Sequence, residues 1–124
     1  MEKKQFQGFE NLEVWKSACQ LSVETYEAFR GLRDFGFKDQ VCRASVSIPS
    51  NIAEGYERNG QKEFIRFLNI AKGSCGEFKT QIYIAQKIGY LEKEIAQNLL
   101  SKARNIAAML TSLINSIMNR QKKV

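Results

Sequence analysis

The sequence predicts an all-α fold, an antiparallel up-down-up-down four-helix bundle. Three observations carry that prediction. Four long segments repeat apolar residues at alternating steps of three and four, the period of a helix buried along one side. Short connections at Gly31–Gly36, Asn59-Gly60 and Gly89-Tyr90-Leu91 join them, which makes sequence neighbours antiparallel neighbours in space. One proline and eight glycines in 124 residues leave little turn-forming material, so few and long elements are expected. No strand-length alternation, internal repeat or low-complexity segment interrupts the pattern. Helices are expected at about residues 10–32, 38–58, 61–89 and 92–119 of a single domain.

Residues 1–9 read as a frayed, basic lead-in. From Glu10 the stripe Leu12, Trp15, Cys19, Ser22, Tyr26 and Phe29 sets in, widened by Val14, Ala18, Leu21 and Leu32. Asn11 is a weak N-cap candidate, with Val14 where a capping box would place Glu. Phe35 and Phe37 are expected to pack onto the next helix. In the second helix Val41, Ala44, Ser45, Ile48, Ile52 and Tyr56 share one face, and Cys42, Val46, Pro49 and Ala53 share another. An outer helix of a monomeric bundle normally has one apolar face. The second face therefore suggests another packing partner, plausibly a second subunit.

The third helix has the cleanest pattern, Phe64, Leu68, Ala71, Cys75, Phe78, Ile82 and Ala85, interrupted by Gly73, Ser74 and Gly76. Each glycine costs about 1 kcal/mol relative to alanine; close approach of another helix is one reason to keep them, and a kink is the alternative. The fourth helix repeats Ala96, Leu99, Ala103, Ile106, Leu110, Leu113 and Ile117. Its basic end, Arg120, Lys122 and Lys123, suits the negative end of a helix dipole.

Composition excludes several chemistries. With no histidine, His-based triads, His metal sites and His proton shuttles are absent. The three cysteines are an odd, widely spaced set on apolar helical positions, which reads as buried free thiols. Glu54 and Glu77 lack an accompanying nucleophile, and no glycine-rich phosphate loop is present. No catalysis and no cofactor are expected. Nor is a membrane span, since no apolar run approaches roughly 18 residues. Met1-Glu2-Lys3-Lys4-Gln5 has no apolar signal-peptide core, so a cytoplasmic location is expected.

The net charge is +6, and it is unevenly spread. Residues 1–57 carry seven Lys/Arg against nine Asp/Glu, whereas residues 58–124 carry twelve against four. That imbalance favours a polyanionic partner. The candidate phosphate contacts are Arg58, Lys62, Lys72, Lys79, Lys87, Lys102, Arg104, Arg120, Lys122 and Lys123, although each taken singly is equally well a solvated charge.

The stretch from Arg43 to Gly55 is the least generic part of the chain. Pro49 removes a backbone donor within a helix and clashes with the preceding turn. A kink or local opening near Ser45–Pro49 is expected, eased by the Ser47 or Ser50 hydroxyl, with a simple bend as the plainer alternative. Arg43, Ser47, Ser50, Glu54 and Arg58 form a narrow polar stripe beside Asn51. Arg43 and Glu54 lie too far apart to pair with each other, as do Arg66 and Glu77. Cross-pairing of Arg43 with Glu77 and of Arg66 with Glu54, within or between subunits, is the expectation set against a solvated stripe.

Three segments carry a resemblance. They are Asn11-Leu12-Glu13-Val14-Trp15-Lys16, Arg43-Ala44 with Ser47-Ile48-Pro49-Ser50-Asn51-Ile52-Ala53-Glu54-Gly55, and Glu63-Phe64-Ile65-Arg66-Phe67-Leu68-Asn69-Ile70-Ala71-Lys72-Gly73-Ser74. They resemble the four helix bundle protein family, first noted in intervening sequences of bacterial 23S rRNA genes, over about residues 9–118. That family looks related to the accessory protein of diversity-generating retroelements, a pentameric basic barrel that binds nucleic acid and a reverse transcriptase. The resemblance implies a homopentameric ring without enzymatic activity. Its implied partners are RNA or DNA and a reverse transcriptase or other protein. By position, Arg43, Asn51 and Glu54 match signature residues on the second helix, and Arg66, Ser74 and Glu77 on the third. Lys72, Cys75 and Lys79 stand where the family commonly has Arg, Leu and Glu; Lys79 adds basicity and Cys75 weakens packing. The assembly set is thus Arg43, Ser47, Pro49, Ser50, Asn51, Glu54, Arg66, Gly73, Ser74 and Glu77. The function expected is non-catalytic binding of nucleic acid, most simply RNA, by a homo-oligomer; the alternative is a protein-interaction scaffold.

Overall fold

The computed structural model describes the backbone of residues 8–122 and the side chains through Arg120. The lead-in expected over residues 1–9 lies mostly outside the described residues. A single 3-10 turn, Phe9–Asn11, precedes α1 (Glu13–Ala28), α2 (Phe35–Glu57), α3 (Gln61–Lys87) and α4 (Lys93–Lys122), and no strand occurs among the described residues. α1 packs on α2 and α4, and α3 packs on the same two helices; among the described residues the backbones of diagonal helices do not approach within 8 Å between Cα atoms. The result is a square antiparallel bundle around one shared core.

The turns follow from local chemistry. Leu12, in extended backbone, occupies the N-cap of α1 with no side-chain cap bond, one residue after the Asn11 at which the cap was expected. α2 instead starts on Asp34, whose Oδ1 accepts from the Phe37 amide at 3.1 Å. Gly60 (φ 93°) enters α3 and Gly89 (φ 85°) ends it, both in backbone that L side chains rarely adopt. Past α3 the Tyr90 amide reaches the Ala85 carbonyl and the Gly89 amide reaches Gln86, a Schellman closure.

The core stripes of α3 and α4 are where the periodicity puts them, with Ile114 rather than Leu113 fully inside and Phe67 added. On α1 the innermost residues are Val14, Ala18, Leu21, Thr25 and Phe29, whereas Tyr26 is 49% exposed and Trp15 and Cys19 are half-buried. Two adjacent stripes of this helix both repeat at steps of three and four, and the one pointing between α1 and α2 is not the central one. Phe37 packs between Phe29 and Tyr90, but Phe35 is 69% exposed and makes no such contact.

α2 runs unbroken through Pro49, so the expected opening does not appear as an interruption. The Ser47 hydroxyl donates to the Ala44 carbonyl at 2.8 Å and not to that of Ser45, so Ser47 does not ease Pro49 as expected; the Asn51 amide donates to the Ser47 carbonyl at 2.7 Å. Pro49 is buried on the side facing α1. Part of the second apolar face of α2, Cys42 and Pro49, therefore has a partner inside the chain, whereas Val46 is 38% exposed and Ala53 half-buried. In a square bundle each helix meets two neighbours, and Cys42 and Pro49 are buried without a second subunit.

α2 and α3 approach closely at Gly55. A Cβ there would lie 2.5 Å from Phe67 Cβ and 3.2 Å from the Phe64 ring. The glycines expected to allow close approach, Gly73 and Gly76, have nothing within 4 Å of the corresponding position. Across the same pair the Gln81 Nε2 donates to Gln40 Oε1 at 3.4 Å, and between α1 and α2 the Ser22 and Ser45 hydroxyls meet at 3.0 Å.

Replacing Gly55 by alanine is expected to destabilise the bundle by about 1–3 kcal/mol, because Phe67 must shift. Gly76→Ala should stabilise it by about 0.5–1 kcal/mol, since its site is open. Urea denaturation of the two variants checks the contrast.

A second bond ties the α3–α4 turn to the start of α2. The Tyr90 hydroxyl donates to Asp34 Oδ2 at 2.6 Å. That bond, then the Phe37 amide, holds the Asp34 carboxyl below its ordinary range, and the same bond raises the Tyr90 phenol. A carboxylate lowered on folding stabilises above its unfolded value and loses that contribution as pH falls through its folded value. A phenol raised on folding stabilises below its unfolded value and loses that contribution as pH rises through its folded value. Tyr90→Phe is therefore expected to lower the melting temperature at neutral pH and to flatten its decline at both extremes, as read by circular dichroism.

Candidate nucleic-acid interface

The charge imbalance of the sequence becomes a difference between two sides of the bundle. α3 carries Lys62, Arg66, Lys72, Lys79 and Lys87 against Glu63 and Glu77, and α4 carries Lys93, Lys102, Arg104, Arg120 and Lys122 against Glu94. α1 and α2 together hold Lys16, Lys38 and Arg43 against six carboxylates. Because α3 touches α4 and α1 touches α2, one side is strongly basic and the opposite one acidic.

The basic side has a centre. Lys72 and Lys79 are half-buried on α3, two turns apart, on the flank of the core stripe away from α2. Long stems lying along an apolar seam with the ammonium groups outward account for that burial. Lys79 also lies close enough to Cys75 to oppose part of the rise in its thiol pKa. The contacts Glu24–Lys102, Ser22–Ser45 and Gln40–Gln81 fix relative heights around the bundle. By helical rise, Arg104 falls between Lys72 and Lys79 in height, on the α3-facing flank of α4. Exposed Lys62, Lys87 and Lys93 extend the same side toward both ends. Glu63 is turned toward α2, where it pairs with Arg66 at 3.2 Å and senses Arg58. At about 100° per residue, Glu77 falls on the α2-facing flank of α3, and Glu94 points outward from α4, midway between the flanks of Lys102 and Arg104.

The remaining expected contacts do not gather with these. Arg58 sits at the end of α2, paired with Glu54 at 2.7 Å and lying 4.9 Å over the Phe67 ring, which Arg66 covers at 4.6 Å. Lys102 is on the other flank of α4, held by Glu24 at 2.6 Å, and its hydrogen bond is the leading cause that lowers the Glu24 carboxyl. It is spent within the bundle and is removed from the candidate surface. Arg120 is exposed at the far end of α4, while Lys123 and the side chain of Lys122 lie outside the described residues. Lys93 belongs on the basic side but was not among the expected contacts; its place in the first turn of α4 is the signal that pointed there.

The assembly residues are distributed differently. Within the chain, Arg43 pairs with Asp39 at 2.9 Å, Glu54 with Arg58 and Arg66 with Glu63. The intrachain form of the expected cross-pairing is therefore not formed; acids one turn away on the same helix take the arginines first. Ser50, Gly73 and Glu77 are exposed, Ser47 and Asn51 half-buried, Pro49 and Ser74 buried. Among the described residues no cluster of three metal-ligating side chains occurs. Burial raises all three thiols, Cys75 to about 11, which leaves them protonated at neutral pH. Between α1 and α2 an apolar groove of about 480 Å³ opens beside Trp15, Val23, Val46 and Pro49.

Comparison with known proteins adds a family. A model described as 23S rRNA-intervening sequence protein matches residues 10–112. The chain belongs to that family. Among solved structures it is similar to a protein of unknown function from the S23 ribosomal protein family of Bacteroides thetaiotaomicron VPI-5482. The two are 22% identical with a TM-score of 0.78, over 82% of this chain and 97% of that one, a likeness of fold. No curated protein matches the chain in sequence. Neither description names an enzymatic activity. Among the described residues of this family member, no helix is long and apolar enough to cross a membrane.

The placement of Lys102 yields a test that separates two flanks of one helix. Lys102→Ala is expected to leave affinity for RNA within about twofold while removing a pair worth at most about 1 kcal/mol at this exposure. Arg104→Ala, two residues on, is expected to weaken binding without lowering stability. Filter binding and thermal melts of both variants check this.

Proposed function

We propose that this chain is a non-catalytic RNA-binding protein that works as a cytoplasmic homo-oligomer, a pentameric ring in the simplest form. The observation that supports binding is the α3–α4 side, where Lys72, Lys79 and Arg104 are flanked by further lysines and the acids of α3, Glu63 and Glu77, lie on its other flank. Such a surface contacts the phosphate backbone rather than base edges, so it binds with little sequence preference and strong salt dependence. Structured RNA suits it because helices are read chiefly by shape and backbone. The family description points to a ribosomal RNA setting. The absence of histidine and the protonated thiols support a role without catalysis.

A second reading, a protein-interaction scaffold, rests on the groove between α1 and α2. Its lining is apolar along both helices, and an amphipathic helix of a partner would fill it. A reverse transcriptase is among the partners the resemblance implies.

The two readings separate on salt. RNA binding by the α3–α4 side predicts affinity for a structured RNA that falls steeply between low and moderate salt. Replacing Lys72, Lys79 and Arg104 together by alanine should reduce the slope of log affinity against log salt by about 2 to 3. No binding at low salt would reject the first reading in favour of the scaffold. An unchanged slope in the triple variant would reject this surface.

A further inference from the structure

Two exposed stripes on neighbouring helices have the same spacing and the same charge order along the chain, so in the antiparallel bundle their charges run in opposite directions. On α2, Arg43, Ser47, Ser50 and Glu54 follow at steps of four, three and four; on α3, Arg66, Ile70, Gly73 and Glu77 follow at the same steps. Ser47 is half-buried and the other seven are exposed. Ile70 is 40% exposed, and a Cβ at Gly73 would meet nothing. A glycine inside an exposed helix destabilises it relative to alanine, and the fold of one chain gives Gly73 no compensating role.

We propose that a second copy of this chain lays its α3 stripe against the α2 stripe of the first, antiparallel, related by an axis along the bundle. The inference rests on the self-association in the reading above and assigns its contact surface and register. Run in opposite directions, the stripes match at every position. Arg43 meets Glu77 and Glu54 meets Arg66 at the ends, while Ser47 meets Gly73 and Ser50 meets Ile70 between them. The small residues let the two backbones approach, and the charges set the register.

The heights agree independently. Rotation about an axis parallel to the helices leaves every residue at its own height, so the contacting residues must already be level within one chain. They are. Gly55 touches Phe67, and Glu54 and Arg66 each sit one residue away. Gln40 meets Gln81, and Arg43 and Glu77 lie three and four residues further toward the middle. One turn beyond Glu54 and Arg66 the alternation continues, with Arg58 level with Glu63.

The existing partners of these charges do not oppose the contact. Arg43–Asp39, Glu54–Arg58 and Arg66–Glu63 are exposed pairs within single helices, which hold their charges weakly and allow them to be shared. The interface also leaves the seam of Lys72, Lys79 and Arg104 uncovered, since that seam faces α4.

Charge reversal tests the register. Glu54→Arg and Arg66→Glu, each alone, place like charges across the contact and should weaken self-association about tenfold or more; the double variant should restore it. Light scattering without nucleic acid reads the assembly mass, and circular dichroism reads the helix content, which exposed substitutions leave intact. A wild-type oligomer whose mass neither reversal changes would overturn the register while leaving self-association standing. A double variant no better than the singles would also overturn it. A wild-type chain that stays monomeric would overturn the assembly itself, whatever its affinity for RNA.

Discussion

The approach of α2 to α3 at Gly55 and Phe67 is the constraint on which the rest of the architecture depends. Interaxial distance between packed helices is set by the side chains at the contact, and here one partner has none. Phe67 Cβ occupies the space a side chain of α2 would take. That fixes the height of α3 relative to α2, and with it which residues of the two outer surfaces stand level. The Asn59-Gly60 turn alone would permit a shift along the axis; the Gly55 contact and the Gln40–Gln81 bond remove that freedom. The remaining corners follow, with Ser22–Ser45 tying α1 and Glu24–Lys102 tying α4.

Much of this architecture is legible in the sequence because a square bundle asks little of it. α3 and α4 each show one unbroken apolar stripe, and those stripes are the core. α1 and α2 are harder, since each has two apolar strips separated by roughly a third of a turn, and periodicity does not rank them. Trp15, Cys19 and Tyr26 satisfy the spacing as well as Ala18, Leu21 and Thr25 do. The difference lies in which neighbour each strip meets, a tertiary fact. The same ambiguity applies to the second face of α2, of which α1 buries Cys42 and Pro49 while Val46 stays exposed. The Asp34–Tyr90 bond spans 56 residues and joins two turns, so no local pattern announces it.

The candidate surface divides along similar lines. The excess of Lys and Arg after residue 57 is visible in composition, and helical spacing shows that Lys72 and Lys79 share a flank. Spacing does not reveal which flank of α4 faces α3. Lys102 and Arg104 are two residues apart, nearly opposite around the helix, and only the carboxylate of Glu24 distinguishes them. Arg58 was equally opaque, because its Glu54 partner is local but the Phe67 ring beneath it comes from the next helix. A charged residue's role depends on what lies across from it, and sequence records only what lies along the chain.

Pro49 bears on how one bundle keeps its surfaces apart. Inside a helix a proline has no amide to donate and its ring crowds the preceding turn. Here the ring is buried on the α1 side, while Arg43, Ser50 and Glu54 stay exposed on α2. α3 does the complementary thing. Its α2-facing outer edge carries Gly73 and Ile70 between balanced charges, and the charged residues of its α4-facing edge, Lys72 and Lys79, are both cations. One helix thus borders two surfaces of different chemistry, the one proposed to meet a copy of the chain and the one proposed to meet RNA. Under the proposed reading, assembly through the first would repeat the second in a fixed array. Each seam would then contribute a few phosphate contacts, and joining several in one particle would raise the effective concentration of each for a single RNA. In that reading, affinity comes from repetition of one weak surface and not from any new contact.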